Sequence, residues 1–203
     1  MFRARKPVPC EIRRGIEARR TVVIAENQQR IAMSRPYFVY AQQIVTRRDT
    51  SGVAQLSDLQ GRAVGVLSSS VAQRLVEKAG GVDLKIYPGN VESFRDLKAR
   101  RIDAVVLDLP IAIHYAKPDA TLQFAGPSFA PGFYGIGVRK EDKALLAALN
   151  DAIEALAADK ALERIYAKYG VWDDNQKRRA EFQAEADRKS TRLNSSHVSE
   201  SRM

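Results

Sequence analysis

Between residues 62 and 124 the sequence alternates short apolar runs with amphipathic segments, and no other feature restricts the fold as strongly. Short apolar runs are typical of strands buried in a parallel sheet, whereas serine, proline and glycine mark helix ends. The predicted strands are 62–67, 84–87, 102–107 and 122–124, and the predicted helices are 71–79, 91–100 and 110–116. This order predicts an α/β fold whose parallel sheet carries helices on both faces.

The pattern changes after Gly126-Pro127. A glycine-containing strand is predicted at 134–138. A long helix is then predicted from residue 142, and a second helix ends at Gly170.

Composition and charge exclude several classes of protein. The 203 residues are 45 % hydrophobic and include 1 cysteine and 2 histidines, which excludes a disulfide scaffold and a cysteine zinc site. Nearly all of the net charge of +9 lies at the two ends, because residues 31–174 hold 18 Lys+Arg against 17 Asp+Glu. A neutral middle disfavours a nucleic-acid partner. No apolar run approaches the roughly 20 residues that span a bilayer.

The two ends of the chain do not follow the α/β pattern. The first residues are basic but lack the apolar region of a signal peptide, and 1–25 are left unassigned, with a frame shift in the gene as one explanation. Residues 187–197 resemble a translated sequencing adapter, so 187–203 are expected to be artefactual. The helical pattern ends before them, within the tail 173–203.

Five stretches, in this order, resemble solute-binding protein family 3, the type II periplasmic binding proteins of polar amino-acid ABC transporters. They are residues 31–38, 56–66, 101–110, 134–142 and 162–170. The resemblance implies an extracytoplasmic, periplasmic protein without cofactor or metal, whose partners are a small polar solute and a transporter permease.

The resemblance also implies a two-lobe α/β fold, the type II periplasmic binding protein fold, with the ligand held between the lobes. Its lobes and crossing strands would be 26–46 (late piece of lobe 1 and first crossing strand), 47–130 (lobe 2) and 131–172 (second crossing strand and C-terminal helices of lobe 1). The first lobe is expected to be incomplete, as in a truncated or frame-shifted gene product.

Asp108 is the first candidate ligand-binding residue, because it follows the predicted strand 102–107 and ligands bind at the carboxyl ends of such strands. In the family, the acid at this position pairs with the ligand's amino group. Capping of the next helix is a compatible alternative.

Ser68, Ser69 and Ser70 form the second candidate, a turn whose hydroxyl and amide groups can hold a carboxylate at a helix N-terminus. Capping alone is the alternative. Val71 stands where the resemblance implies a threonine contact.

The remaining candidates come from the segment before the first crossing strand. Asn27 stands where the family has a carboxylate-binding arginine, and asparagine cannot form that bidentate contact. Arg30 could replace it after local shifts. Tyr37 belongs to an aromatic cluster for which lobe packing is the alternative, and the pairs Arg47-Arg48 and Arg100-Arg101 are expected to be solvated.

Other functions remain open on the same fold. An enzyme, either a dehydratase or a domain associated with lytic transglycosylases, would need a positioned acid or base beside Asp108. A membrane sensor domain would need a transmembrane segment. Solute binding without catalysis is the preferred interpretation.

Overall fold

The computed structural model describes residues 31–179 and 181, together with the backbone of 19–22. It divides into two compact units. The first draws on residues up to Phe38, on Phe133–Glu163 and on residues from Arg178, and the second comprises Val39–Gly132 and Arg164–Lys177. The predicted sites Asn27 and Arg30, the adapter-like tail and most of 1–25 lie outside the described residues.

The elements follow one another in the order expected of an α/β chain. They are β1 (Arg19–Val22), β2 (Ala32–Met33), β3 (Phe38–Arg47), a 3-10 turn (Leu56–Leu59), β4 (Ala63–Leu67), α1 (Val71–Ala79), β5 (Asp83–Tyr87), α2 (Asn90–Lys98), β6 (Ala104–Asp108), α3 (Leu109–Ala116), β7 (Leu122–Val138), α4 (Lys143–Ala158), α5 (Ala161–Lys168) and α6 (Asp174–Lys177).

The sheet of the second unit has the order β7-β3-β6-β4-β5. Strands β5 and β6 both run parallel to β4, and β3 runs antiparallel to β6. The parallel sheet predicted from the alternation is therefore confirmed for β4, β5 and β6, and β3 extends it as an antiparallel strand.

The core of the second unit lies on both faces of this sheet. Successive side chains of a strand point to opposite faces, so Ile44 and Val106 join one apolar cluster, whereas Val45 and Val105 join the other. Helix α1 packs on the first face through Val76. Helices α2 and α3 supply buried residues to the second. Burial on both faces fixes which residues reach each edge of the sheet.

The first unit is built around the last part of β7. Strands β1 and β2 pair with it antiparallel, so part of the segment left unassigned in the sequence forms a strand. Helix α4 is fixed by Asn150, whose Oδ1 accepts a hydrogen bond from the Arg35 amide at 2.8 Å. The rings of Phe38 and Tyr134 stack with centroids 5.8 Å apart.

The sequence predicts two separate strands, 122–124 and 134–138, whereas β7 runs through Gly126-Pro127 as one strand of 17 residues. Gly126 has a φ of 68°, and a Cβ there would lie 1.9 Å from the Ala54 carbonyl oxygen. Only glycine fits this position, so the glycine that signals a turn in the sequence allows the strand to continue.

Candidate functional site

The predicted site residues of the second unit lie at the edge of the sheet where β4 and β6 end. Val64 pairs with Ala104 and Gly65 with Val105. Ser68 directly follows Leu67, the last residue of β4, and Asp108 is the last residue of β6. Because the two strands are parallel neighbours, the serine turn and the acid both lie at the same edge of the sheet, the carboxyl edge.

Asp108 occupies the N-cap position of α3, but its side chain makes no capping hydrogen bond. Its Oδ1 accepts a hydrogen bond from Gln42 Nε2 at 2.7 Å. The helix-capping alternative for the side chain is thus wrong, and the half-buried carboxylate is oriented by a neighbouring strand.

Gln42 is fully buried on β3, directly opposite Asp108 in the antiparallel register. Because Nε2 is committed to the carboxylate, Oε1 is its remaining acceptor. This buried Oε1 has no hydrogen-bond partner among the described residues. The carboxylate and the amide oxygen together make this edge rich in acceptors.

Tyr40 lies two residues before Gln42, on the same face of β3, and is buried. Burial and the nearby Asp108 carboxylate raise the pKa of the Tyr40 phenol to about 12, and the positive charge of Arg74 acts in the opposite direction. The phenol is therefore neutral at physiological pH. A Cβ on Gly132 would lie 2.5 Å from the Tyr40 hydroxyl, so close packing against glycine fixes the ring.

The serine turn caps α1, which is the alternative that the sequence analysis gives for this segment. Ser70 Oγ accepts a hydrogen bond from the Gln73 amide at 3.0 Å. Ser69 has a φ of 58°, and its amide donates to Gln73 Oε1 at 2.7 Å. The Ser68 amide donates to the Tyr87 carbonyl. These amides already have protein acceptors, so a carboxylate there would replace the Gln73 side chain. Val71 is the first residue of α1.

Tyr37 belongs to the first unit, where its amide donates to the Tyr134 carbonyl at 3.1 Å. It is not part of the carboxyl-edge group of the second unit.

The sequence predicts no site role for Gln42, and it places Tyr40 in the aromatic cluster of Tyr37, for which lobe packing is the alternative. Their signal was a buried strand with polar side chains at alternate positions, directly opposite the strand that ends in Asp108.

The expectation of solvated arginine pairs is wrong for Arg47, whose side chain is 14 % exposed. Its Nη1 donates to the carbonyls of Leu97 and Ile102. These buried contacts explain why the side chain is not solvated.

Among the described residues, no group of three or more histidine, cysteine or acidic side chains could hold a metal ion. No helix in this part of the chain is long and apolar enough to cross a membrane.

In α/β sheets, polar side chains gathered at the carboxyl ends of the strands mark the usual position of a small-molecule site. The family described as bacterial extracellular solute-binding proteins, family 3, matches residues 15–171, and the chain belongs to this family. The resemblance and the type II periplasmic binding protein fold predicted from the sequence are confirmed.

Curated relatives include binding proteins for different amino acids. The chain is 30 % identical over 147 residues to the L-cystine-binding protein TcyJ of Escherichia coli K12, covering 71 % of this chain and 55 % of that protein. It is 31 % identical over 159 residues to the L-arginine-binding protein of Pseudomonas aeruginosa, covering 73 % and 61 %. The chain thus spans less than two thirds of the length of these relatives.

Solved structures with similar folds include arginine-binding proteins. An ancestral arginine-binding protein bound to glutamine matches with a TM-score of 0.68 and 34 % identity, over 74 % of this chain and 68 % of that one. An ancestral amino acid-binding protein described as a precursor of cyclohexadienyl dehydratase has a TM-score of 0.66, over 73 % and 64 % of the two chains. At 22 % identity the latter shows the fold alone.

Proposed function

We propose that this protein is the periplasmic solute-binding component of an ABC importer and that it delivers a small polar solute to the transporter permease. The solute carries a cationic amine, as an amino acid does. The second unit contributes Asp108 as the counter-ion of that amine. The named relatives support this proposal, since they bind cystine and arginine.

The observation that carries the proposal is the acceptor pair formed by Asp108 and Gln42. A half-buried carboxylate held at 2.7 Å by an amide offers a fixed anionic acceptor. The unpaired Gln42 Oε1 adds a second acceptor at the same edge. An ammonium group has three donors and needs paired acceptors when it leaves water. This edge therefore suits a cation with several N–H donors.

The carboxylate end of an amino acid would use the serine turn. In this proposal the ligand carboxylate displaces Gln73 Oε1 from the Ser69 amide, at the N-terminus of α1, where the helix dipole favours an anion. Val71 would then contact the ligand through its backbone, since its side chain has no donor. Asn27, Arg30 and Tyr37 stay candidates for the rest of the site.

We propose binding without catalysis. The curated relatives are named as binding proteins, and the neighbour described as a dehydratase precursor is itself called amino acid-binding. An enzyme would require a second group poised for proton transfer, and the Tyr40 phenol, with a pKa of about 12, is a poor general acid or base near neutral pH.

The test is calorimetric titration of the full chain with the amino acids and with simple amines, for wild type and Asp108→Asn. We expect wild type to bind at least one amino acid and Asp108→Asn to bind it about 100-fold more weakly, about 2.8 kcal/mol. Asp83→Asn is the matched control, because Asp83 is an exposed acid of the same unit whose ion pair among the described residues is with Lys85 on its own strand.

The outcomes separate the parts of the proposal. Absence of amino-acid and amine binding in wild type contradicts the function. Equal affinities of wild type and Asp108→Asn contradict the role of Asp108 while leaving solute binding intact. Turnover of the bound solute, followed by NMR, would establish the enzyme alternative.

A further inference from the structure

A basic cavity lies at the other edge of the same sheet, where β3 ends and β6 begins. Its volume is about 460 Å³. It is lined by one acid, Asp49, by Thr121 and by four cationic side chains, which are Arg47, Arg48, Lys98 and Arg100. Arg47 lies five residues beyond Gln42, about 17 Å along β3. The cavity is therefore separate from the carboxyl edge that holds Asp108.

Arg47 is the fixed wall of this cavity. Its Nη1 donates to the Leu97 carbonyl at 3.0 Å and to the Ile102 carbonyl at 2.6 Å, which holds the guanidinium in one position. Its Nε is buried and has no hydrogen-bond partner among the described residues. The nearest acid oxygens, on Asp49 and Asp103, are 3.7 and 3.6 Å from its nitrogens, beyond hydrogen-bond distance. A preorganised guanidinium with an unused N–H suits an acceptor ligand.

The acids near the cavity are engaged by other groups. Asp49 Oδ2 accepts a hydrogen bond from Arg100, which is the main reason why the pKa of this carboxyl lies below its ordinary value. Asp119 is held by Thr121 and by Lys98 at 3.2 Å. Asp49 Oδ1 and Asp103 Oδ1 form ion pairs with Arg47 at 3.7 and 3.6 Å, but among the described residues neither comes within hydrogen-bond distance of its Nε.

Arg48 adds positive charge that no acid in the described part of the chain balances. Its Nε donates to the Ala120 carbonyl at 2.8 Å, which anchors the side chain over the cavity. No ion pair within 4.0 Å joins Arg48 to an acid among these residues. Its terminal nitrogens retain N–H donors in a fork that matches carboxylate and phosphate oxygens.

We propose that this cavity binds a small oxoanion with two or more negative charges, of the phosphate or polycarboxylate class. One oxygen accepts the hydrogen bond of Arg47 Nε, and others accept from Arg48. The site is independent of the amine site, because no residue is shared between them. Two guanidinium groups on the lining suit an oxoanion with several oxygens, such as a diphosphate or a tricarboxylate.

The experiment titrates the full chain with pyrophosphate and with citrate in a phosphate-free buffer, and sodium chloride keeps the ionic strength constant. We expect saturable 1:1 binding by calorimetry. We also expect a shift of the Arg47 Nε–H signal in ¹H–¹⁵N spectra that saturates with the same affinity. Arg48→Gln should weaken binding at least tenfold.

Arg95→Gln is the matched control, since it removes one positive charge from an exposed position of α2 that does not line the cavity. It should change the affinity less than twofold. Equal losses in Arg48→Gln and Arg95→Gln would reduce the effect to net charge and overturn the proposal. Absence of saturable binding would also overturn the proposal. So would an Arg47 Nε–H signal that does not move at saturation, and this measurement uses wild type alone.

Discussion

The two edges of the sheet in the second unit carry opposite chemistry on the same strand. At the carboxyl edge, β3 presents Gln42, whose buried Oε1 lacks a donor, beside the Asp108 carboxylate. At the other edge it presents Arg47, whose buried Nε–H lacks an acceptor, beside Arg48. One edge has surplus acceptors and the other surplus donors. Buried polar groups are normally paired, so each orphan indicates the charge of the group that would complete it.

The two side chains of β3, Gln42 and Arg47, also differ in the hydrogen-bond partners that hold them in place. Gln42 binds one side chain, whereas Arg47 binds two backbone carbonyls from the end of α2 and the start of β6. We infer that Arg47 contributes to the stability of the unit and that Gln42 contributes chiefly to ligand binding.

The largest expected effect is a separation of the two edges in binding assays. Asp108→Asn should lower amine affinity about 100-fold, about 2.8 kcal/mol, and leave pyrophosphate affinity within twofold of wild type. Arg48→Gln should do the reverse, lowering only pyrophosphate affinity. Calorimetry of both ligands on both variants checks this. Loss of both affinities in either variant would mean that the edges are coupled or that the variant is unfolded, which a thermal melt distinguishes.

Arg47→Met should destabilise the protein by about 2 kcal/mol, because a buried carbonyl loses its charged donor. The Ile102 carbonyl is most affected, since the Leu97 carbonyl also accepts from the Arg100 amide. Arg48→Met is the control, with an exposed side chain and an expected change within about 0.5 kcal/mol. Urea unfolding measures both. Equal stability of the two variants would contradict the anchoring role of Arg47.

Gln42→Leu should lower amine affinity about tenfold, about 1.4 kcal/mol, because the Asp108 carboxylate loses its positioning donor. Its stability should change by less than about 1 kcal/mol, because the orphan acceptor disappears with the hydrogen bond. Gln43→Leu should show the opposite behaviour. Gln43 Nε2 donates to the carbonyls of Ile44 and Gly126, so its loss should reduce stability and spare affinity. A Gln42→Leu protein with wild-type affinity would contradict the positioning role.

The sequence was sufficient to predict strands β4, β5 and β6 and helices α1, α2 and α3 of the second unit, and the position of Asp108 at the end of β6. Those predictions depend on local signals, namely apolar runs, helix caps and the rule that ligands bind where parallel strands end. Ser70 as the cap of α1 is such a local signal, and it is confirmed.

The sequence was not sufficient for features that depend on pairing between distant segments. Gln42 gains its role from a register that places it opposite Asp108, 66 residues away. Arg47 reads as a solvated charge until α2 and β6 bring carbonyls to its guanidinium. These contacts cannot be predicted from the polar residues themselves, because each contact depends on strand order and not on local structural preference.

The smallest expected effect concerns the titration of Tyr40, which reports on the carboxyl edge alone. Its pKa is raised from 10.0 to about 12, first by burial and then by Asp108. Because the folded protein favours the neutral phenol, Tyr40 contributes stability below pH 10 that is lost as the pH rises towards 12. The pKa of Tyr87 is also about 12, so the difference in absorbance at 295 nm between wild type and Tyr40→Phe isolates Tyr40. In the Asp108→Asn protein the Tyr40 transition, isolated by the same subtraction, should appear at lower pH but still above 10, since burial is the larger cause of the raised pKa. In Arg48→Gln it should stay near pH 12. A Tyr40 transition at pH 10 in wild type would show that neither burial nor the carboxylate acts on the phenol, and would remove Asp108 from its neighbourhood.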